Sequence, residues 1–556
     1  MQSLEEVRWH HLTVTREHVS RVTLHTLESR VTVFLAAAFV GSLVHSRGFG
    51  FCLSIYLFIS ELARNHLYHP SFHIYIKRGI VIISDTTEQS QKQDSMENLG
   101  ESHMQQKKGR RLILFPLPFQ GHINPMLQLA NILYSKGFSI TIIHTKFNSP
   151  NPSNYPHFTF CSIQDGLSET EASTTDFVAL ISVLHVKCAA PFQDCLAKLL
   201  SNAEEKEEEP IACLITDASW FFTHDVAESL KLPRIVLRSL SVSSSLVYAA
   251  LPVLSQKGYF PIQDSHDLEA PVPELPPLRM KDIPVIETLY QETLHQFAAE
   301  AINQMKASSG CIWNSVQELE QDSLAKFHRE FPIPSFPIGP FHKYYPASAS
   351  SLLSQDRICI SRLDKQAPKS VIYVSFGSIA AIDETKFLEV AWGLANSKVP
   401  FLWVVRPGLV RGAEWIELLP RGFLEMLDGR GHIVKWAPQQ EVLAHPATGA
   451  FWTHCGWNST LESMCEGVPM ICQPCHGEQM VIARYVSDVW KVGLHLERKL
   501  ERGEVERAIR RVMVDAEGRE MRNRAAILKE KLDLCTKQGS SSYQSLENLI
   551  SYIFSY

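Results

Sequence analysis

The apolar run Gly449–Thr453, the tight turn through Cys455–Gly456 and the helix that follows from about Asn458 restrict this chain to a small set of folds. A short strand that enters a helix through glycine belongs to a parallel sheet covered on both faces, and the same pattern recurs along the chain. Arg111–Leu117 reads as a buried strand and Phe119–Ile123 as the turn after it. Asn124 reads as an N-cap with Pro125 in the first helical position, and Gly137 as the helix stop before a strand at Ser139–Thr145. Further strands are expected at Phe158–Ile163, Ile211–Thr216 and Arg234–Leu240. A second α/β series begins near residue 359, with strands Ser370–Ser375, Pro400–Val405, His432–Lys435, Gly449–Thr453 and Val468–Cys472. The pattern predicts two Rossmann-like, doubly wound α/β domains facing across a cleft. They span residues 109–345 and 359–540, joined by a Ser/Ala/Pro-rich linker at 346–358 and followed by a C-terminal helix at 541–556.

An apolar share of 45%, a charged share of 20% and a net charge of −6 over 556 residues fit a globular protein of more than one domain. They give no reason to expect nucleic acid or an anionic membrane as partner. The 12 cysteines are scattered rather than framed at short spacings, which points to a reducing compartment, the cytoplasm. Residues 1–108 fit poorly with the rest. Val31–Ser60 is apolar but is broken at His45-Ser46-Arg47, so each half is shorter than a membrane helix needs, and no basic-then-apolar leader opens the chain. A translated upstream region with the start at Met96 is the reading preferred over a membrane anchor or a genuine extension. Asp85–Lys108 is polar enough to be disordered, and the Pro-rich stretch 261–285 reads as a mobile wall over a substrate pocket.

Chemistry gathers at the predicted strand ends. A strand feeding a helix through glycine presents free N–H groups and a positive dipole end, which suits a phosphate. At that point stand the donors His454, Asn458 and Ser459, with Trp436 and Trp457 offering flat faces to a base or sugar, and Glu478-Gln479 after the next strand. A capping box, Ser459-x-x-Glu462, explains part of this pattern without any ligand. His122 stands just before a helix, where imidazolium is disfavoured, and Asp217 ends an apolar strand, so together they could act as a base and its orienter. His224 and Asp225 are nearby decoys. Cys472-x-x-Cys475-His476 matches a haem-attachment pattern but lies inside the phosphate-binding segment, and a glycan on the sequon at Asn458 would block the phosphate site, so both are read as unused.

The whole run Trp436–Gln479 resembles the plant secondary-product glycosyltransferase signature, and Arg110–Phe160 is especially similar to the plant family 76 group. The resemblance covers about residues 96–556 and implies a GT-B fold, with acceptor bound mainly by the first domain and UDP-sugar by the second. It implies that His122 and Asp217 form the catalytic dyad and that a sugar is transferred from UDP-glucose, with inversion, to a small lipophilic acceptor. Trp436 would stack on uracil near Ala437 and Gln439, and Glu462 would take the ribose hydroxyls. Trp457, Glu478, Gln479 and Ser239 would reach the sugar, and Ser378, His454, Asn458 and Ser459 the diphosphate. No metal or other cofactor is implied, and a monomer without stable membrane insertion is expected. A UDP-sugar-binding protein without catalysis is the alternative. The chain departs from the family at Ser239, where Thr is usual, at Arg362, where Trp is usual, and at His476.

Overall fold

The computed structural model describes residues 72–77, 80–85, 110–174, 176–205, 209–259, 268–284, 291–345, 350–497 and 499–556. Most of the readings made for residues 1–108, including the apolar stretch and the Met96 start, lie outside them. Two compact units are present, Met1–Gln106 and Lys107–Tyr556. In the first, β1 (Phe72–Lys77) and β2 (Ile80–Asp85) pair antiparallel, which the sequence reading did not anticipate.

The second unit holds two sheets made wholly of parallel strands. The first contains β3 (Arg111–Phe115), β4 (Ser139–Thr145), β5 (Thr159–Ile163), β6 (Ile211–Asp217), β7 (Arg234–Arg238), β8 (Gly310–Trp313) and β9 (Ser335–Pro337), in the order β5-β4-β3-β6-β7-β8-β9. The second contains β10 (Val371–Ser375), β11 (Phe401–Val404), β12 (Gly431–Val434), β13 (Thr448–Thr453), β14 (Met470–Cys472) and β15 (Gly493–His495), in the order β12-β11-β10-β13-β14-β15. Both follow the doubly wound order in which the chain starts in the middle, runs to one edge, and returns to build the other half. Strands β8, β9 and β15 were missed because runs such as Ser-Phe-Pro and Gly-Leu-His are too short to show a period.

Burial on both faces explains why the strands read as continuous apolar runs. In β3, Leu112 and Leu114 join one core cluster while Ile113 and Phe115 join another, and all four are fully buried. β10 divides in the same way, with Ile372 and Val374 on one face and Val371 and Tyr373 on the other. Helix α1 (Gln120–Ser135) covers one face of the first sheet, and α2 (Phe177–Glu205) covers the other through Leu180, Leu184, Cys188 and Phe192. By length and composition α2 could cross a membrane, but these residues make it a core helix of this sheet. In the second lobe, α3 (Trp457–Cys465) follows β13 and α4 (Gln479–Arg484) follows β14. The last helix, α5 (Ser541–Ile553), sends Leu546, Leu549, Ile550 and Ile553 into the first lobe's core, and Tyr552 donates to the Ser309 carbonyl at 2.6 Å. This spacing of three and four residues is one apolar face of a helix.

Three local expectations are corrected. Helix α1 begins at Gln120 after an extended Phe119, so Asn124 is not its N-cap and Pro125 lies inside it. Helix α3 begins at Trp457 after Gly456, with no side-chain cap, so Ser459 and Glu462 form no capping box. The described part of the Pro-rich stretch, 268–284, is pinned rather than mobile. Val272, Leu275, Leu278 and Met280 enter the core, and buried Asp282 pairs with Arg484 of α4 at 2.9 Å.

Candidate active site

In each sheet the strand order reverses once, between β3 and β6 in the first lobe and between β10 and β13 in the second. Loops on either side of such a point diverge and leave a crevice at the strands' carboxyl ends. The two crevices face each other here and merge into one cavity of about 1570 Å³. His122 follows β3, Asp217 ends β6, Ser378 follows β10, and His454, Asn458 and Ser459 follow β13. His122, Ser239, Ser378, Trp436, Ala437, Gln439, His454, Trp457, Asn458, Ser459, Glu462, Glu478 and Gln479 all line the cavity, while Asp217 stands behind His122. His224 and Asp225 do not line it.

On the first wall, His122 Nδ1 lies 2.7 Å from Asp217 Oδ2 and 3.0 Å from Ser239 Oγ. Asp217 is 1% exposed, and the Ser219 N–H donates to its Oδ1 at 2.9 Å. Burial alone would raise this carboxyl. The facing imidazole, these hydrogen bonds and the Arg238 guanidinium outweigh it and hold the group below the usual carboxylate value. An ionised carboxylate only accepts hydrogen bonds, so Nδ1 is the ring nitrogen that donates to it and Nε2 is left facing away from Asp217. Ser239, expected to meet the sugar, bonds to the imidazole.

The opposite wall is the start of α3. Among the described residues the N–H groups of Trp457, Asn458 and Ser459 make no backbone hydrogen bond, and Gly456 brings no capping side chain, so three donors face the carboxyl edge of the sheet. Glycine is required here. A Cβ on Gly377, whose φ is +73°, or on Gly456 would fall 2.5 Å from His454 Nε2. Burial, with His476 and Arg406 nearby, lowers the His454 imidazole to about 3, so it is neutral. Its buried Nδ1 has no partner among the described residues.

Trp436 is half-buried on the cavity wall, with its Nε1 donating to Ser351 Oγ at 3.0 Å. Glu462 is clasped by the amides of Gln439 (2.7 Å) and Gln440 (2.8 Å), and Gln439 also donates to Ser459 Oγ at 2.9 Å. Burial raises the Glu462 carboxyl despite the two amides. Trp457 and Gln479, like Ser239, make contacts other than those expected. The Trp457 indole offers no open face, being 2% exposed with Nε1 bonded to the Asn314 carbonyl at 2.8 Å. The Gln479 carbonyl is occupied by the N–H groups of Cys475 and His476, at 2.9 and 3.2 Å, so its amide shapes the loop before α4.

The Asn458 side chain also departs from the expected phosphate role. It donates to the Gly121 carbonyl at 2.8 Å and accepts from Asn314 Nδ2 at 3.1 Å, joining the two lobes. Pro125 explains this. Lacking an N–H, it cannot bond to the carbonyl four residues earlier, and that carbonyl is Gly121's. The acceptor freed next to His122 is taken by the opposite lobe. The sequence reading missed Asn314, Arg238 and Arg406. All three stand at strand ends, the signal that marked Asp217, but Asn314 follows the unrecognised β8.

Residues 123–526 match the sequence profile of the family described as UDP-glucoronosyl and UDP-glucosyl transferase. The chain is 56% identical over 445 residues to UDP-glycosyltransferase 76B1 of Arabidopsis thaliana, covering 80% of this chain and 98% of that one. It is 51% identical over 466 residues to UDP-glycosyltransferase 76G1 of Stevia rebaudiana, covering 83% and 100%. Among solved structures, Phytolacca americana UGT2, complexed with UDP-2fluoro-glucose and pterostilbene, superposes with a TM-score of 0.67 at 26% identity, over 80% of this chain and all of that one. The two facing lobes are thus a GT-B fold, and the chain belongs to the UDP-dependent glycosyltransferases, within the plant family 76 group.

Proposed function

We propose that this enzyme moves glucose from UDP-glucose to a hydroxyl or amine of a small lipophilic acceptor, with inversion. One observation carries the reading: an imidazole oriented by a buried carboxylate faces, across a single cavity, three free N–H groups at a helix start. His122 Nε2 takes the acceptor proton as the acceptor oxygen bonds to the anomeric carbon. The bond from that carbon to the diphosphate oxygen breaks, and its electron pair leaves with UDP. Attack opposite the leaving group inverts the centre. Asp217 stabilises the imidazolium as it forms. No metal is needed in this scheme, because the helix start and neighbouring donors meet the developing charge.

A lipophilic acceptor suits the first-lobe end of the cavity, which is walled by Phe119, Phe147, Phe177, Leu180, Tyr248 and Phe297. Glucose as donor sugar rests on Gln479 closing the signature. Eleven free cysteines among the described residues suit the cytoplasm. The test is UDP release with UDP-glucose and a panel of flavonols, terpenols and cytokinins, with NMR of the anomeric proton of the product. Acceptor-dependent release and a β-linked product from the α-linked donor are expected. UDP-glucose binding without turnover across the panel, or an α-linked product, would contradict the proposal.

A further inference from the structure

Arg406 lies just beyond β11 at the carboxyl edge of the second sheet, and lines the cavity although only 8% exposed. Its Nε–H donates to the Gly377 carbonyl at 3.1 Å, one terminal nitrogen donates to the Pro407 carbonyl at 3.0 Å, and the other to the Ala380 carbonyl. The guanidinium therefore clasps the loop that carries Ser378, beside the crevice between β10 and β13. Carbonyls take three of its five N–H donors and do not neutralise its charge. Buried Arg484 is paired with Asp282, Asp488 and Glu497, and buried Arg238 has Asp217 and Glu478 nearby. Among the described residues, no carboxylate pairs with Arg406.

Among the described residues, the one ionisable neighbour that favours its charge is the Cys475 thiol, which is raised to about 11 and so stays neutral at neutral pH. Burial lowers Arg406 to about 10, which leaves it charged at neutral pH. Of the other cations that line the cavity among the described residues, Lys343 pairs with Glu466 at 2.7 Å, Lys386 is 57% exposed and shares its charge with Asp383 at 3.6 Å, and Arg411 is exposed. Neutral His454 brings no charge. A buried cation without a carboxylate is costly to keep, unless a ligand completes the pair.

We propose that Arg406 is the fixed countercharge for the diphosphate of UDP, standing where other nucleotide-sugar sites would need a divalent cation. The proposal rests on the UDP-sugar reading above. Its effect grows during reaction, because the diphosphate gains negative charge as its bond to the anomeric carbon breaks. It requires charge at position 406 to matter for ligands that carry phosphates and not for the nucleoside alone.

The experiment titrates UDP and uridine, by calorimetry, into the full-length protein and into Arg406→Gln and Arg406→Lys. For Arg406→Gln, UDP binding is expected to weaken by about 10- to 100-fold while uridine binding stays within about twofold. Arg406→Lys keeps the charge but loses most of the carbonyl clasp. It is expected to retain most of the preference for UDP over uridine even if its melting temperature falls, so the proposal stays testable should the Gln protein fail to fold. Equal weakening of both ligands, or loss of the UDP preference in Arg406→Lys, would reduce Arg406 to a structural clasp and overturn the proposal. A wild-type protein that binds uridine as tightly as UDP would overturn it too. One that binds neither would instead sink the UDP-sugar reading on which it stands.

Discussion

A buried carboxylate decides which nitrogen of His122 is basic. If Asp217 becomes an amide, Nδ1 can accept instead of donate, the other tautomer becomes available, and Nε2 then carries a proton where a lone pair is needed. Asp217→Asn is therefore expected to lower kcat by about 10²-fold or more, with the UDP-glucose KM within about twofold. Steady-state kinetics in both substrates would check this, and wild-type kcat would remove Asp217 from the scheme. His122 and Asp217 were legible in the sequence because each follows an apolar strand, and strand ends are where an open α/β sheet presents its ligand groups. Side-chain direction was not legible. Trp457 looked like an open ring in the signature, yet its indole turns inward to the Asn314 carbonyl, a partner that local sequence cannot reveal.

At the scale of elements, strand and helix existence followed from apolar runs and glycine breaks, while the helix starts were misread. Asn124-Pro125 has the form of a cap and first turn, but the helix begins at Gln120. The Gly121 carbonyl left by Pro125 is satisfied from the opposite lobe, by Asn458, so the local rule yields to a contact over 300 residues away in sequence. This makes a double-mutant test available. Asn458→Ala should cost about 1–2 kcal/mol of stability, since it removes the donor to Gly121 and the acceptor for Asn314. Pro125→Ala supplies a new N–H within α1, so it should recover part of that loss in the Asn458→Ala background. Denaturant unfolding of the four proteins measures both effects, and strictly additive changes would contradict the link. The supposed capping box at Ser459 and Glu462 failed for a related reason. The Glu462 carboxylate is held by Gln439 and Gln440 from the preceding segment, and Gly456 starts the helix where His454 leaves no room for a Cβ.

At the scale of the whole molecule, stability should be sensitive to mild acid. Burial lowers His185 and His495 to about 4 and His342 and His454 to about 3. Above about pH 6.5 these groups are neutral in both folded and unfolded chains and contribute no pH dependence. As pH falls below that value the unfolded chain takes up protons that the folded one refuses, so stability is lost until the folded groups titrate. Each histidine contributes on the order of 1 kcal/mol per pH unit within this window. Melting temperatures should therefore be flat above about pH 7 and fall progressively below about pH 6, less steeply in His185→Gln; a profile flat down to about pH 5 would contradict these buried neutral states.

Two doubly wound lobes with their switch points face to face were legible from the repeated strand–glycine–helix pattern. The lobe-to-lobe links through Asn458, and through Arg484 with Asp282, were not, because they join residues that only the folded chain brings together. What these links hold in register is an imidazole on one wall and the proposed nucleotide-sugar site on the other. The most direct test compares wild type with His122→Ala, measuring UDP affinity by calorimetry and acceptor-dependent UDP release under the same conditions. Unchanged UDP affinity with turnover reduced about 10²- to 10⁴-fold is the expected result. Turnover that survives intact, or UDP affinity lost along with it, would contradict a base on the first lobe acting on a donor held by the second.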